Sequence, residues 1–395
     1  LIGALIGVAL ALVFCAGFFM REIIDLDAPS VFASEREKSS EASGYPLLDE
    51  VDGLLQRHYL REVPDNTQRE YAAIRGMLGS LGDRNTFFID PPVAQSESDV
   101  LAGTYGGIGV SLQRDEAGAF LLYPFPDSPA IESGIQDGDM LIAVNGEPVN
   151  LDSQQDAVNQ SLRGEVIDDN GVELTIQRGD TEITLFVLFD VINVPSVLWR
   201  VTENDSRIGY IQILRFTSRT PDELIVALEE LEGADVASLV LDLRHNTGGL
   251  LQESVDVASE FLDGGVVFYE TTNDSEQSFD ARVGGNALEL PLVVLVNDRT
   301  ASASELVAGA IQDRDRGILI GQTTFGKGTI QQIFPLSDAS SVHITSAEWF
   351  TPDRNVIEGV GLQPDIPMIP DENGRDVEFG EAIRYLQREV LQQEE

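Results

Sequence analysis

Cysteine occurs once in the 395 residues, at Cys15, so no disulfide can form within the chain, and with three histidines no Cys/His cluster has zinc-ligand spacing. Cysteine usage leaves the redox compartment open, and neither a metal nor another cofactor is expected. Positive charge is also scarce: 25 Lys and Arg stand against 67 Asp and Glu, a formal net charge of −42. A field of that sign repels phosphate backbones, which argues against nucleic acid and for proteins or small molecules as partners. The acidity itself reads as a solvated surface. Lysine is rarest among the charged residues, at Lys38 and Lys327 only, the other 23 basic side chains being arginine. Arginine does not release its proton in proteins, whereas a buried lysine can be driven neutral and act as a base. Lys38 sits in a polar run over 34–43 and reads as a surface residue; Lys327 does not.

Charge is absent altogether from residues 1–20, and a helix of about that length crosses a hydrocarbon core of about 30 Å. A transmembrane or signal-anchor helix is the expectation, ahead of a cleaved signal sequence, because small residues suited to cleavage are badly placed after the apolar run. Residues 21–44 are acidic, Ser-rich and without apolar period, a linker. Leu47, Leu48, Val51, Leu54 and Leu55 have amphipathic helical spacing, and Ala72, Ile74, Met77, Leu78 and Leu81 suggest a second helix. Both belong to an N-terminal helical region over 45–95, ending near Pro91 and Pro92. Residues 96–190 alternate short β-like runs with turn signals such as Asp137-Gly138-Asp139 and Asn145-Gly146, a compact β-rich module. Over 191–370, apolar strands at 207–215, 236–243, 292–297 and 317–321 alternate with helical patterns at 221–231 and 302–311, which indicates an α/β domain around a covered, mostly parallel sheet. A tail over 371–395 holds one helix, near 379–391. The fold class expected is therefore α/β, with an N-terminal helix, a helical preface, a β-barrel-like module and an α/β core.

The β-rich module opens on Tyr105-Gly106-Gly107-Ile108-Gly109-Val110, where glycines let successive backbone N–H groups turn towards one point and hold an anion. The bland alternative is a set of tight turns without a ligand.

In the α/β part, the segment Asn297-Asp298-Arg299-Thr300-Ala301-Ser302-Ala303-Ser304-Glu305 sits where a strand hands over to a helix. Ser302 or Ser304 is placed there as a nucleophile at a helix N-terminus, and on spacing alone ordinary capping, with Glu305 completing a capping box on Ser302, explains it as well. Lys327 lies between Gly326 and Gly328 in a β-like run. A lysine buried there has its charged form disfavoured and can take a serine proton. His58, His245 and His343 are the histidine alternatives; only His245 is near a loop, and no G-x-S-x-G elbow supports a Ser-His-Asp triad. In Asp242-Leu243-Arg244-His245-Asn246-Thr247-Gly248-Gly249, a strand end runs into glycines, and the Gly248 N–H can pair with that of Ala303 to hold an oxyanion.

The three segments together, with Gln331 four residues after the lysine, resemble the carboxyl-terminal processing peptidase family, the tail-specific Ser/Lys proteases. The ordered set Gly106-Gly107, Ser128-Pro129-Ala130, Gly138-Asp139 and Asn145-Gly146 is likewise similar to a bacterial protease-associated PDZ domain. The resemblance implies a PDZ domain over 96–190 that captures a free C-terminus at Gly107, Ile108, Gly109 and Val110. It implies a protease core over 191–370 of the Clp protease/crotonase type, with Ser302 as nucleophile, Lys327 as base, Gln331 supporting the lysine, and Gly248 and Ala303 as oxyanion donors. It also implies an acyl-enzyme mechanism, an extracytoplasmic location with the membrane reached through 1–20, protein or peptide substrates with free C-termini, and compatibility with an oligomer. Arg178 is a further contact candidate, and PDZ gating of the site is expected. A silent scaffold that binds C-termini, and acyl-CoA chemistry on a crotonase-like core, are the alternatives from other classes. The first leaves the Ser302/Lys327 pair without a purpose, and the second leaves the PDZ module as well.

Overall fold

The computed structural model describes residues 45–115, 118–203, 205–371 and 374–393. The segment 1–20 read as a membrane helix, the linker 21–44 and Lys38 lie outside the described residues. Among the described residues, no helix is long and apolar enough to cross a membrane.

The chain divides into a unit up to Gln68 and a second from Arg69 onward. The first holds α1 (Pro46–His58), which begins on a proline where no N–H is needed. The helix α2 (Asn66–Gly79) runs across the division. Both helices were expected to bury an apolar face, but neither contains a buried residue, and Leu47 is 73% exposed.

In the second unit, a short strand β1 (Phe87–Ile89) precedes α3 (Pro91–Ala102). The proline pair was expected to close a helical stretch, yet Pro91 opens α3, because its fixed φ suits the first turn of a helix. The strand β2 (Thr104–Gly107) then enters the β-rich module, formed by β3 (Val110–Arg114), β4 (Phe120–Pro124), α4 (Pro129–Glu132), β5 (Asp139–Val144), β6 (Glu147–Pro148), α5 (Gln155–Ser161), β7 (Gly171–Arg178) and β8 (Thr181–Leu188). Its sheet runs β3-β4-β5-β7-β8 with β6 beside β5, and leaves β3 at an edge. Period-2 burial is plain in β7, where Val172, Leu174 and Ile176 are fully buried and join Ile108 and Leu122 in the module's own core. The chain leaves by β9 (Asp190–Asn193), which pairs antiparallel with β2, so entry and exit share one two-stranded stalk.

The α/β part contains, in order, β10 (Val197–Val201), β11 (Ile208–Ile213), α6 (Thr220–Gly233), β12 (Ser238–Asp242), α7 (Leu251–Phe261), β13 (Val266–Thr271), β14 (Glu276–Asp280), β15 (Leu292–Val296), α8 (Ala303–Asp313), β16 (Ile318–Gly321), β17 (Thr329–Pro335), β18 (Ser341–Phe350), β19 (Ile366–Pro367) and α9 (Val377–Gln393). Six strands form a sheet in the order β10-β11-β12-β15-β16-β19, parallel from β11 onward. Every residue of β12 and β15 is buried, as expected of strands covered on both faces. On one face Leu239, Leu241, Val294 and Val296 pack with α6, α7 and α8; on the other Val240, Val293 and Leu295 pack with Ala382, Ile383 and Leu386 of α9. The helix expected in a C-terminal tail is thus the second covering layer of the central sheet. Arg244 ties it down, pairing with Asp242 at 2.7 Å and with Asp376 at 2.7 and 2.8 Å. A second sheet, β1-β18-β13-β14 with β17 also on β18, lies beside it.

Candidate active site

The loops after β12 and β15 leave the carboxyl ends of parallel strands, the usual place for a site in an α/β sheet. Thr300 fixes the second loop: its Oγ1 donates to Leu243 O at 2.9 Å and accepts from Asn297 N at 3.0 Å. Ser302 follows at φ +57, a conformation that costs a non-glycine residue on the order of 1–3 kcal/mol, and stands at the N-terminus of α8. Its N–H donates to Glu305 Oε2 at 2.8 Å, the glutamate half of the capping box anticipated for this segment. The two serines then part company. Ser304 is fully buried and its Oγ donates to Asn246 O at 2.9 Å, whereas Ser302 lines a cavity of about 410 Å³.

Lys327 lines the same cavity. It precedes β17 instead of lying within a strand, in an irregular segment packed on residues 357–361. Glycine is needed beside it, since a Cβ on Gly328 would fall 2.5 Å from Glu358 N. Four donors converge on the buried carboxylate of Glu305: Ser302 N and Lys327 N at 2.8 and 3.0 Å on Oε2, Gly326 N at 2.8 Å and Thr324 Oγ1 on Oε1. The glutamate therefore fixes both the serine and the lysine segments. Burial, the largest influence, holds the Lys327 ammonium below its ordinary pKa, against the raising pull of Glu358, Glu97 and Glu305. Its Nζ donates to Gln331 Oε1 at 2.5 Å, and Gln331 Nε2 donates to Asn85 O, which sets the amide's orientation. Trp349 Nε1 holds the Lys327 carbonyl at 2.9 Å.

Gly248 and Ala303 are brought together. With φ +102 at Gly248, a Cβ there would lie 2.9 Å from Ser302 Cβ and 3.1 Å from Ala303 N. Ala303 N–H is the first of α8 and has no intrahelical acceptor. The Gly248 N–H, however, donates to Asn246 Oδ1 at 2.9 Å. Asn246, wholly buried, also accepts Ala301 N–H on its carbonyl at 3.0 Å, so it joins the two loops.

His245 is exposed, with its ring beside Asn297 Nδ2 at 3.2–3.3 Å, and it does not line the cavity. His343 of β18 does: it is buried, stacks on Phe87 at 4.6 Å, and its Nε2 lies 3.0 Å from Glu97 Oε2 on α3. The adjacent histidine ring is the largest influence holding the Glu97 carboxyl below its ordinary pKa. Among the described residues, no group of three His, Cys, Asp or Glu could hold a metal ion.

In the β-rich module Gly107, Ile108 and Gly109 are buried, and Ile108 N–H donates to Leu162 O at 3.3 Å. The space beside them is only about 20 Å³. A larger groove, about 400 Å³, runs along the β3 edge past Val110, Ser111 and Leu112, with Asn159 of α5 and Arg163 in its walls. Arg163 lines both spaces; it pairs with Asp99 at 3.2 Å and lies 4.2 Å above the Tyr105 ring. Arg178, the contact candidate from sequence, is instead paired with Asp139 at 2.6 Å and bonded to Gly134 O at 2.8 Å.

Comparison with known proteins gives the family. Peptidase family S41 matches residues 207–368, and the PDZ domain family matches residues 106–188. A carboxy-terminal-processing protease of Bartonella bacilliformis is 32% identical over 385 residues, covering 93% of this chain and 86% of its own length. A carboxy-terminal processing protease of Bacillus subtilis is 32% identical over 346 residues, covering 87% and 73%. A crystal structure described as an S41 protease from Bacteroides fragilis superposes with a TM-score of 0.50 at 18% identity, over 85% of this chain and 92% of that one, a likeness of fold.

Proposed function

The chain belongs to peptidase family S41, among the carboxyl-terminal-processing serine peptidases that carry a PDZ domain, and we propose that it hydrolyses peptide bonds in protein substrates with Ser302 as nucleophile and Lys327 as general base. The observation that carries this is the shared cavity: a half-buried lysine with a lowered pKa and a serine at a helix N-terminus face one space, with one carboxylate fixing both backbones.

Neutral Lys327 Nζ takes the Ser302 hydroxyl proton as Oγ attacks the substrate carbonyl, and the resulting ammonium returns the proton to the leaving amine. Gln331 Oε1 keeps Nζ in place through both transfers. Neutral Lys327 Nζ then takes a proton from the water that attacks the acyl-enzyme and passes it to Ser302 Oγ as the ester bond breaks, which releases the new C-terminus. The developing oxyanion meets Ala303 N–H and Gly248 N–H; the latter must be shared with, or released from, Asn246 Oδ1 for the hole to be complete.

The substrate tail adds as a strand to the open edge of β3, and its carboxylate reaches Arg163 and the loop 107–110. This reading shifts the weight of carboxylate capture from the loop N–H groups to the arginine that lines both spaces. Occupation of the groove displaces Asp99 of α3 from Arg163 and so couples the module to the cavity, since α3 also carries Glu97. We read the core as Clp protease/crotonase-like over 191–370, and the apolar segment 1–20 supports an exported, membrane-anchored enzyme.

The test is cleavage of an unstructured protein with an apolar free C-terminus by wild type, Ser302→Ala and Lys327→Ala, with and without amidation of the tail. Cleavage by wild type alone, weakened on amidation, is the expected result. Undiminished activity in Lys327→Ala would move the base elsewhere, and equal cutting of free and amidated tails would remove the carboxylate from recognition.

A further inference from the structure

Arginines with partly buried heads in this acidic chain have acceptors: carboxylates for Arg163, Arg178 and Arg244, and main-chain carbonyls for Arg314 and Arg316. Arg215, just beyond β11, has none. Among the described residues its guanidinium makes no ion pair and no hydrogen bond, and its Nε is enclosed by protein without an acceptor. Glu97 is near enough for Arg215 to help lower its carboxyl pKa, but that carboxylate faces His343 at 3.0 Å. An enclosed N–H of a cation left without an acceptor is destabilising, and a ligand that brings an acceptor to the rest of the guanidinium offsets that cost.

The position of Arg215 says which ligand. It lines the cavity that holds Ser302 and Lys327, and it lines the groove along the β3 edge; no other residue lines both. A peptide whose tail lies on β3 and whose upstream chain reaches Ser302 passes this side chain with the residues between the scissile bond and the C-terminus. We propose that Arg215 is a specificity residue that binds the carboxylate of an Asp or Glu side chain in that stretch of the substrate. The proposal rests on the proteolytic reading above. A carboxylate matches the planar fork of a guanidinium in two parallel bonds and neutralises its charge, whereas a main-chain carbonyl satisfies one N–H and leaves the charge unmatched. Elsewhere the chain, with its net charge of −42, repels acidic peptides, so an acidic residue is tolerated only in the register that brings it to this cation.

The test compares kcat/KM for wild type, Arg215→Gln and Arg215→Glu on unstructured peptides with one common free apolar C-terminus. A Glu, Gln or Lys is walked through the positions between scissile bond and tail. Because every peptide carries the same terminal carboxylate, a difference between Glu and Gln reports the side chain. Wild type is expected to favour Glu over Gln at one position by roughly tenfold or more, the scale of a hydrogen bond to a charged group. Arg215→Gln is expected to bring that ratio close to one, and Arg215→Glu to favour the Lys peptide at the same position. No Glu preference in wild type, or a preference that survives in Arg215→Gln, overturns the proposal and leaves the protease reading intact. Loss of all cleavage in both variants marks Arg215 as structural and overturns it too. Failure of wild type to cut any of the peptides overturns both readings.

Discussion

Glu305 and Lys327 meet through the lysine's backbone: Glu305 Oε2 accepts the Lys327 N–H at 3.0 Å, and the same oxygen accepts the Ser302 N–H at 2.8 Å. The negative charge thus positions the two segments, while the lysine head points to Gln331. Two residues 25 apart in sequence are held in register by a third that touches neither reacting atom.

Replacing Glu305 by Gln turns an acceptor of four donors into a group that presents its own N–H to some of them. The expected loss is about 1–3 kcal/mol of folding stability for each donor left facing an N–H, together with a fall in kcat. Urea unfolding and single-turnover rates measure the two. Unchanged stability would mean that the carboxylate is not the clamp described.

Because burial lowers the Lys327 pKa, activity should rise with pH along a single ionisation and level off below the usual lysine range. The same shift affects stability with a definite sign. Between the folded and unfolded lysine pKa values the unfolded chain binds the proton that the native state lacks, so stability rises with pH across that window. Lys327→Met removes this slope, raises the melting temperature at neutral pH by relieving a buried charge, and abolishes cleavage. Calorimetry at several pH values on both proteins decides it.

Gln331→Glu places an anion where Lys327 Nζ now meets a neutral amide oxygen. The lysine pKa should rise, and the midpoint of the pH–kcat/KM curve should move up by about one unit or more. At neutral pH the variant is correspondingly slower. A midpoint that stays in place would sever Gln331 from the base.

Gly248 and Gly179 both have positive φ, at +102 and +60, but only Gly248 is crowded, with Ser302 Cβ and Ala301 O each 2.9 Å from the site of a Cβ, whereas nothing lies within 4 Å at Gly179. Gly179→Ala is expected to cost about 1 kcal/mol with normal turnover. Gly248→Ala should lower kcat by about 10²-fold or more, the scale of one lost oxyanion donor. The contrast between the two variants separates crowding from backbone strain.

Much of the scaffold was legible because its strands follow simple rules: the all-apolar runs of β12 and β15 announce burial on both faces, and the helix start at Ser302 announces itself through Glu305 three residues on. The lysine stands out locally, as the one lysine between two glycines, whereas the serine segment reads equally as a cap and Gln331 is named only through the family resemblance. What stayed hidden depends on contacts between distant residues. Asn85, 246 positions before Gln331, is an ordinary loop residue in sequence, and only the fold brings its carbonyl to that amide. His343 reads as one residue of a strand and Arg215 as one arginine among 23; their places in the cavity wall come from packing. The prolines at 91–92 carry a signal that fits a helix start as well as a stop, and the turn they begin, α3, supplies Glu97 to the cavity. The glycines at 107–109 read as a nest for an anion; in the fold a Cβ on Gly109 would fall 2.6 Å from Ser128 Cβ, and the space beside the loop is about 20 Å³.

The pairing of β1 with β18, Phe87 against His343 and Ile89 against Ser341, means that the whole PDZ module and most of the core are inserted between two halves of one small sheet. A ribosome delivers residues 85–89 early and their partners in β18 only after the PDZ module and most of the core. Until β17 and β18 emerge and return to this early segment, Gln331 has no carbonyl to orient it beside Lys327. Contacts of such sequence separation form late in folding. A chain cut short before β18 therefore lacks the sheet that brings Asn85 to Gln331, whatever else of the core has folded.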